Sequence, residues 1–242
     1  MGKFITCMET DNYQFKKDRF SSHSLILREL KSSGEGKSLL DVGCGRGYLA
    51  AILTQRGYKV TGVDNSLESL DFARKVCSRV IHADLEKWDA DVAGKFDYIL
   101  FADVLEHLRD PLEVLRRILP LLKDNGTVLL SVPNIAHFYV RLSLLLGRWD
   151  YAKRGILDKT HLRFFTRSSL LGLIKEAGIR PKKIYQAYIP WSLAMESAPA
   201  YLRQAAAVCE STAGSIFPGL FAYQWIVLGT KGGLDGQNPG KS

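Results

Sequence analysis

The sequence predicts an α/β fold with a doubly wound, mainly parallel sheet. Three observations lead there. Between residues 38 and 133, short apolar runs alternate with segments of helical period, the pattern of consecutive βαβ units. The first run, SLLDVG (38–43), feeds straight into the glycine-rich turn Gly43-Cys44-Gly45-Arg46-Gly47. The fourth, FDYILFAD (96–103), is apolar almost throughout, as suits a strand covered on both faces.

Taken in order, residues 1–36 begin polar and then turn helical. Leu25, Ile26 and Leu30 recur at helical spacing in SHSLILREL (22–30), and SSGEG (32–36) ends the segment. SLLDVG is a strand, Tyr48 to Arg56 a helix closed by Gly57, and KVTGVD (59–64) the second strand. Leu67 to Val76 is a helix, RVIHAD (79–84) the third strand and FDYILFAD the fourth. Pro111 opens a helix reaching Leu122, because proline suits a first helical turn. Asp124-Asn125-Gly126 reads as a turn before the strand TVLLSVP (127–133). After Pro133 the rhythm breaks. Residues 135–151 are apolar with Arg141 and Arg148 interleaved, and AKRGILDKTHLRFF (152–165) is loop-like. A helix from Thr166 or Arg167 to Ala177 ends at Gly178, and KKIYQAYI (182–189) follows as a strand. Residues 190–222, with Pro190, Pro199 and Pro218, read as an irregular or helical insertion before the final strand YQWIVLGTKG (223–232). The expected organisation is an N-terminal helical segment (1–36), one main domain (37–232) with insertions at 135–165 and 190–222, and a flexible tail (233–242).

Composition narrows the classes. Of 242 residues, 46% are hydrophobic and 24% charged, which excludes a disordered or collagen-like chain. Lys+Arg 33 against Asp+Glu 25 leaves +8, and the pI is about 9.3. That excess suits phosphorylated sugars, nucleic acid or an acidic membrane surface, or is simply a solvated basic surface. RNA is disfavoured, since no basic tract with interleaved aromatics exists. Cys7, Cys44, Cys77 and Cys209 form no C-x-x-C pair, so reduced thiols in a cytoplasmic protein are expected. The N-terminus has no apolar signal core and lacks the Ser/Thr of a myristoylation site. No run of about 18 apolar residues is present.

The strongest local signal is Asp41 and the loop Gly43–Gly47. Glycines let a ligand approach bare backbone, and a helix starting behind them offers free N–H groups. The spacing is G-x-G-x-G, not the G-x-G-x-x-G of dinucleotide sites. Asp41 would repel a pyrophosphate and favours a cationic ligand. Asp64 closes the second strand, where a carboxylate can accept two ribose hydroxyls. Asp84 follows the third and can accept from an exocyclic amine. Carboxylates at successive strand C-termini share one crevice in an open α/β sheet; each could instead just cap a helix or turn.

With LLDVGCGRGYLA, VTGVDNS, IHADLE, FDYILFADVLEHLRDP and DNGTVLLSVPN in this order, residues 38–134 resemble the class I S-adenosylmethionine-dependent methyltransferases. The resemblance implies a seven-stranded sheet with an antiparallel last strand and S-adenosylmethionine as cofactor. It implies that Asp41 and Gly43, Cys44, Gly45 and Gly47 hold the methionine moiety and Asp64 the ribose, with Asn65 and Ser66 beside the adenosine. Asp84 and Leu85 would meet the adenine; Ala102 and Asp103 would border the methionyl end. Residues 134–180 are similar to bacterial methyltransferases associated with surface glycans and O-antigen, and to methyltransferase-like proteins linked to methionine biosynthesis.

Methyl transfer from a sulfonium needs positioning, desolvation and, for an alcohol, a base. His107 in DVLEHL and His161 in DKTHLRFF are the candidate bases, each with a packing role as the alternative; His137 is a third candidate. Asp158 could orient His161. Asp103, Glu106 and His107 have a D-x-x-E-H form, similar to the E-x-x-E-H metal ligands of ubiquinone-biosynthesis and small-RNA methyltransferases. The shorter Asp, and adjacent residues pointing about 100° apart on a helix, argue against a metal, and none is expected. Residues 135–150 could be a lid, a helix lying on an anionic membrane, or a helix packed on the sheet edge. Arg141, Arg148, Lys153 and Arg154 could pair with an acceptor phosphate or carboxylate, or face solvent. The leading expectation is O-methylation of a sugar or glycan precursor by a cytoplasmic enzyme, with peripheral contact at the inner face of the membrane. The alternatives are O- or N-methylation of another small molecule, quinone-like or phenolic, and a non-catalytic cofactor-binding regulator.

Overall fold

A computed structural model of the chain describes residues 19–30, 34–88, 92–189, 191–195 and 197–232. Cys7, Pro190, the polar start of the N-terminal segment and the tail from residue 233 lie outside the described residues. Among the described residues there are seven strands: β1 (Ser38–Val42), β2 (Lys59–Asp64), β3 (Arg79–His82), β4 (Phe96–Ala102), β5 (Leu122–Pro133), β6 (Ile179–Ala187) and β7 (Gln224–Lys231). They form one sheet in the order β3-β2-β1-β4-β5-β7-β6. Contacts from β3 through β5 are parallel; β7 is antiparallel to both β5 and β6. The expected fold is therefore present. The chain winds outward from β1 to β3, then returns to place β4 on the other side. The switch point between β1 and β4 opens a crevice at the strand C-termini.

Helices cover both faces. α1 (Ser22–Glu29), α2 (Tyr48–Gln55) and α3 (Leu67–Ala73) come first, then α4 (Pro111–Ile118), α5 (Phe138–Leu145) and α6 (Arg167–Glu176), then α7 (Trp191–Ala194), α8 (Ala200–Ile216) and α9 (Pro218–Phe221). The sheet's two-residue alternation sorts its apolar side chains. Leu39, Leu100, Leu129 and Ile226 pack with Leu25, Ile26, Leu49 and Leu53 of α1 and α2. Their neighbours Leu40, Ile99, Val128 and Val227 pack on the other side with Val114 and Leu115 of α4 and Leu170 and Ile174 of α6. The described part of the N-terminal segment thus belongs to the main core.

The elements form where local chemistry allows. Asp110 caps α4 through the Glu113 amide (3.0 Å), with Pro111 at its start. Thr166 and Ser169 make a reciprocal capping box on α6. One turn is corrected. Asp124-Asn125-Gly126 lies within β5: β4 advances from Phe96 to Tyr98 while β5 advances from Leu122 to Thr127, so the surplus bulges outward. The helix expected to reach Leu122 ends at Ile118, and a 3₁₀ turn over Leu119–Leu121 fills the gap; Pro120 has no N–H to extend the ladder. The 190–222 insertion is helical, chiefly α8. Among the described residues, no helix is long and apolar enough to cross a membrane.

Candidate active site

β1 delivers Asp41, buried at 3% exposure, to the floor of the crevice. Burial, reinforced by the nearby Asp64 charge, pushes its carboxyl up to about 7. The loop beyond it is anchored from β2: the amides of Gly43 and Cys44 donate to the Val63 carbonyl (2.8 and 3.0 Å). Gly45 and Gly47 both have left-handed φ, +52° and +81°, but for different purposes. A side chain on Gly47 would strike Val76 at 2.8 Å, so this glycine lets α2 seat against the segment after α3. A Cβ on Gly45 would meet nothing within 4 Å. Its space belongs to the crevice.

Asp64 ties the loop to the second strand. Its Oδ2 accepts from the Gly45 amide (2.8 Å) and its Oδ1 from the Ser66 amide (2.9 Å). Asp84 accepts from the Glu86 amide (2.9 Å), and this bond leads the effects that hold its carboxyl below the usual range. Asp103, just past β4, has a left-handed φ of +56°, which aspartate tolerates at some cost. Its Oδ1 accepts from Ser131 Oγ (2.6 Å) and Gln224 Nε2 (2.8 Å).

These strand ends enclose a cavity of about 450 Å³, within the range of small-ligand sites. Of the expected ligand-binding residues, Asp41, Gly43, Cys44, Gly45, Asp64, Asn65, Asp84, Leu85, Ala102 and Asp103 line it. Gly47 and Ser66 stand outside the lining. Ser66 caps α3 by accepting from the Ser69 amide (3.2 Å), and Ser69 reaches the cavity in its place. Sequence reasoning did not single out His23, Arg46, Tyr48 or Glu86, which also line it. His23 carried no signal, because only packing of α1 brings it there. Arg46 sat in the glycine loop itself. It is buried, pairs with Glu68 (3.0 Å) and stacks on Phe72 (4.1 Å), bracing the loop against α3.

The histidines divide. His107, in a 3₁₀ turn over Leu105–His107, lines the cavity. Its ring lies 4.9 Å from that of His161, nearly edge-on. Two amides, of Leu162 and Arg163, donate to the Glu106 carbonyl and fasten the His161 loop to this turn. His161 Nδ1 is 3.0 Å from the Ile156 carbonyl. A carbonyl only accepts, so Nδ1 carries the proton and Nε2 keeps a lone pair. Burial leads the effects that lower its pKa, with the His107 charge adding to it. Asp158 does not orient this ring, contrary to expectation. Its Oδ1 is taken by the Thr160 amide (2.8 Å) and hydroxyl (2.7 Å), and the Ile156 carbonyl orients His161 instead. His137 is fully buried away from the cavity, at the start of α5, with Nε2 3.6 Å from Glu210 Oε1. The D-x-x-E-H pattern does not converge as written, since Asp103 turns toward Ser131 and Gln224. Ligand atoms of Glu106, His107 and His161 do lie within 4.8 Å of one another, a donor set that suits several divalent ions.

The profile of one protein family, described as "Methyltransferase domain", matches residues 15–182. A ubiquinone biosynthesis O-methyltransferase of Bordetella avium (strain 197N) is 33% identical over 165 residues, covering 64% of this chain and 67% of that protein. Its counterpart in Pseudomonas aeruginosa (strain LESB58) is 36% identical over 159 residues, covering 62% and 67%. Among solved structures, a SAM-dependent methyltransferase of Thermotoga maritima, titled a possible histamine N-methyltransferase, superposes with a TM-score of 0.59 at 20% identity. That match covers 88% of this chain and 90% of the other, and at such identity the likeness is one of fold.

Proposed function

The chain belongs to the methyltransferase-domain family and is a methyltransferase with S-adenosylmethionine as cofactor, and from that premise we propose that it methylates a hydroxyl of a small, phenolic or quinone-like acceptor. The observation that carries this reading is the cavity itself. Carboxylates of three parallel strand ends, Asp41, Asp64 and Asp84, border one side, and His107, backed by His161, borders it too. Residues 37–232, completed by α1, which packs into the core and brings His23 to the cavity, make up the catalytic unit.

In this reading, Asp41 and the backbone from Gly43 to Gly45 take the methionine moiety. Asp64 accepts from the ribose, Asp84 and Leu85 border the adenine, and Ala102 and Asp103 border the methionyl end. The sulfonium carries its own activation. Bound there, S-adenosylmethionine would supply the methyl group and leave as a neutral thioether, while the chain's own residues would hold the acceptor hydroxyl toward it and take the hydroxyl proton on an imidazole nitrogen. His107 takes that proton: its Nδ1 faces Thr160 (3.3 Å), and its ring borders the cavity. His161, with its lowered pKa, stays neutral beside it and does not oppose the imidazolium.

The relatives in ubiquinone biosynthesis support a quinone-like acceptor over the sugar or glycan precursor expected from residues 134–180. The test is methyl transfer from labelled S-adenosylmethionine to a catechol panel and to nucleotide sugars, in parent and His107→Ala proteins. Transfer to sugars alone restores the glycan reading. Cofactor binding without transfer to any acceptor leaves a non-catalytic regulator. A divalent ion on Glu106, His107 and His161 is a second reading, favoured by their convergence. A chelator then abolishes transfer, and added ions restore it.

A further inference from the structure

We propose that α5 and the turn after it form a docking surface for an anionic lipid bilayer. α5 is seated almost entirely by Val140, its one buried residue. The rest of its apolar content faces outward: Leu142 and Leu144 are about half exposed, and Leu145 and Leu146 at its tip are 81% and 62% exposed. Apolar side chains left in water at a protruding helix end are uncommon without a partner. The patch continues beyond α5. Phe138 packs on Phe221 (ring centroids 5.4 Å apart), next to the exposed Phe217 that precedes α9.

Charge selects the occupant. Exposed Arg141, Arg148, Lys153 and Arg154 intersperse the patch, opposed within residues 138–154 only by Asp150, which leaves four cations against one acid, or +3. A second copy docked by this face would set +3 against +3. Anionic headgroups complement it, with leucines entering the acyl boundary and basic side chains staying at the phosphate level. The patch also communicates with the site. Ring neighbours run from His107 to His161 (4.9 Å), Phe164 (6.4 Å), Trp149 (5.4 Å) and exposed Tyr151 (6.3 Å). A bilayer-seated acceptor with an apolar tail would meet an apolar path to the histidines. The docking stands independently of methyl transfer; only this last step rests on the proposed reaction.

The experiment is co-sedimentation of the full chain with vesicles of phosphatidylcholine alone or mixed with phosphatidylglycerol, across a salt series and without cofactor. The expected result is partition onto the anionic vesicles that weakens with salt and is at least about tenfold lower on neutral ones. The double variant Leu145→Glu/Leu146→Glu should lose that partition by about tenfold or more, with unchanged melting temperature and S-adenosylhomocysteine affinity. Because cofactor affinity and vesicle partition are read separately, loss of one does not confound the other. Absence of sedimentation with anionic vesicles at low salt overturns the proposal. So does undiminished partition of the double variant, or a stable dimer that this variant dissolves.

Discussion

Asp41 should make the protein's stability fall as pH rises toward neutrality, and replacing it by asparagine should remove that fall. Its carboxyl stands at about 7 in the fold against an ordinary 3.8, chiefly because it is buried. The sign follows from proton counting. Between these values the unfolded chain has lost the proton and the folded chain still holds it, so folding binds a proton. The associated stability is complete below about pH 4 and is lost as pH rises through about 7. At about 1.4 kcal/mol per pH unit, the gap between 3.8 and about 7 is worth up to about 4 kcal/mol. About half of that, or about 2 kcal/mol, falls between pH 5.5 and 8.5. Urea unfolding of parent and Asp41→Asn at these two pH values checks it, and the parent should lose about 2 kcal/mol more than the variant. Calorimetric titration with S-adenosylmethionine gives the complement. The ligand's ammonium and sulfonium favour the ionised carboxylate, so parent affinity should rise through pH 7 and the variant's should not. Parallel pH profiles for the two proteins, in stability and in affinity, would refute the reasoning.

Gly45→Val should abolish cofactor binding, because the added side chain enters the cavity and a β-branched residue strains the left-handed backbone there (φ +52°); a folded variant that titrates with normal affinity contradicts this placement. Asp64→Ala removes the acceptor of the Gly45 and Ser66 amides, and cofactor affinity should drop by about 1–3 kcal/mol, read by the same titration. His107→Ala should slow methyl transfer by about 10²- to 10⁴-fold with cofactor affinity unchanged, measured as initial rates at saturating cofactor. Glu210→Ala deprives the Trp191 indole (2.9 Å) and the Ile189 amide (3.2 Å) of their shared acceptor, and should cost about 1–3 kcal/mol in urea unfolding.

The strand-end part of the cavity was legible in the sequence because it is built from short-range constraints. Asp41, Gly43 and Gly45 are fixed by one strand end and one turn, and Asp64 and Asp84 by the ends of the next two strands. Two-residue alternation and the glycine turn suffice to place them. The surroundings of the histidine pair depend on contacts between distant segments. His161 is held by the Ile156 carbonyl inside a loop closed by the Ala152–Asp158 bridge. A nearby carboxylate looked the better partner in sequence, yet Thr160 occupies it. His23 was invisible for the same reason: only the packing of α1 against α2 and the sheet carries it to the cavity. The Asp124–Gly126 turn failed differently. Its residues suit a turn, and in the sheet they satisfy that preference as a bulge without ending the strand.

The reversed last strand of the sheet supplies one of the contacts that hold Asp103 at the edge of the cavity. The left-handed backbone of Asp103 costs about 1–3 kcal/mol and persists only if the surroundings hold it. Ser131 does so three times over: its hydroxyl donates to the carboxylate (2.6 Å), and its hydroxyl oxygen (3.0 Å) and carbonyl (3.2 Å) both accept from the Asp103 amide. Ser131 is fixed because β5 pairs there with Ala102 of β4. The second partner, Gln224, is the first residue of β7, and antiparallel pairing sets it opposite Pro133 at the C-terminal end of β5. Entered in parallel, the same strand would begin at the opposite edge of the sheet, and its first side chain would lie a full strand length from Asp103. The antiparallel pairing therefore brings an amide donor from residue 224 to a carboxylate at 103, and holds Asp103 in the wall of the cavity.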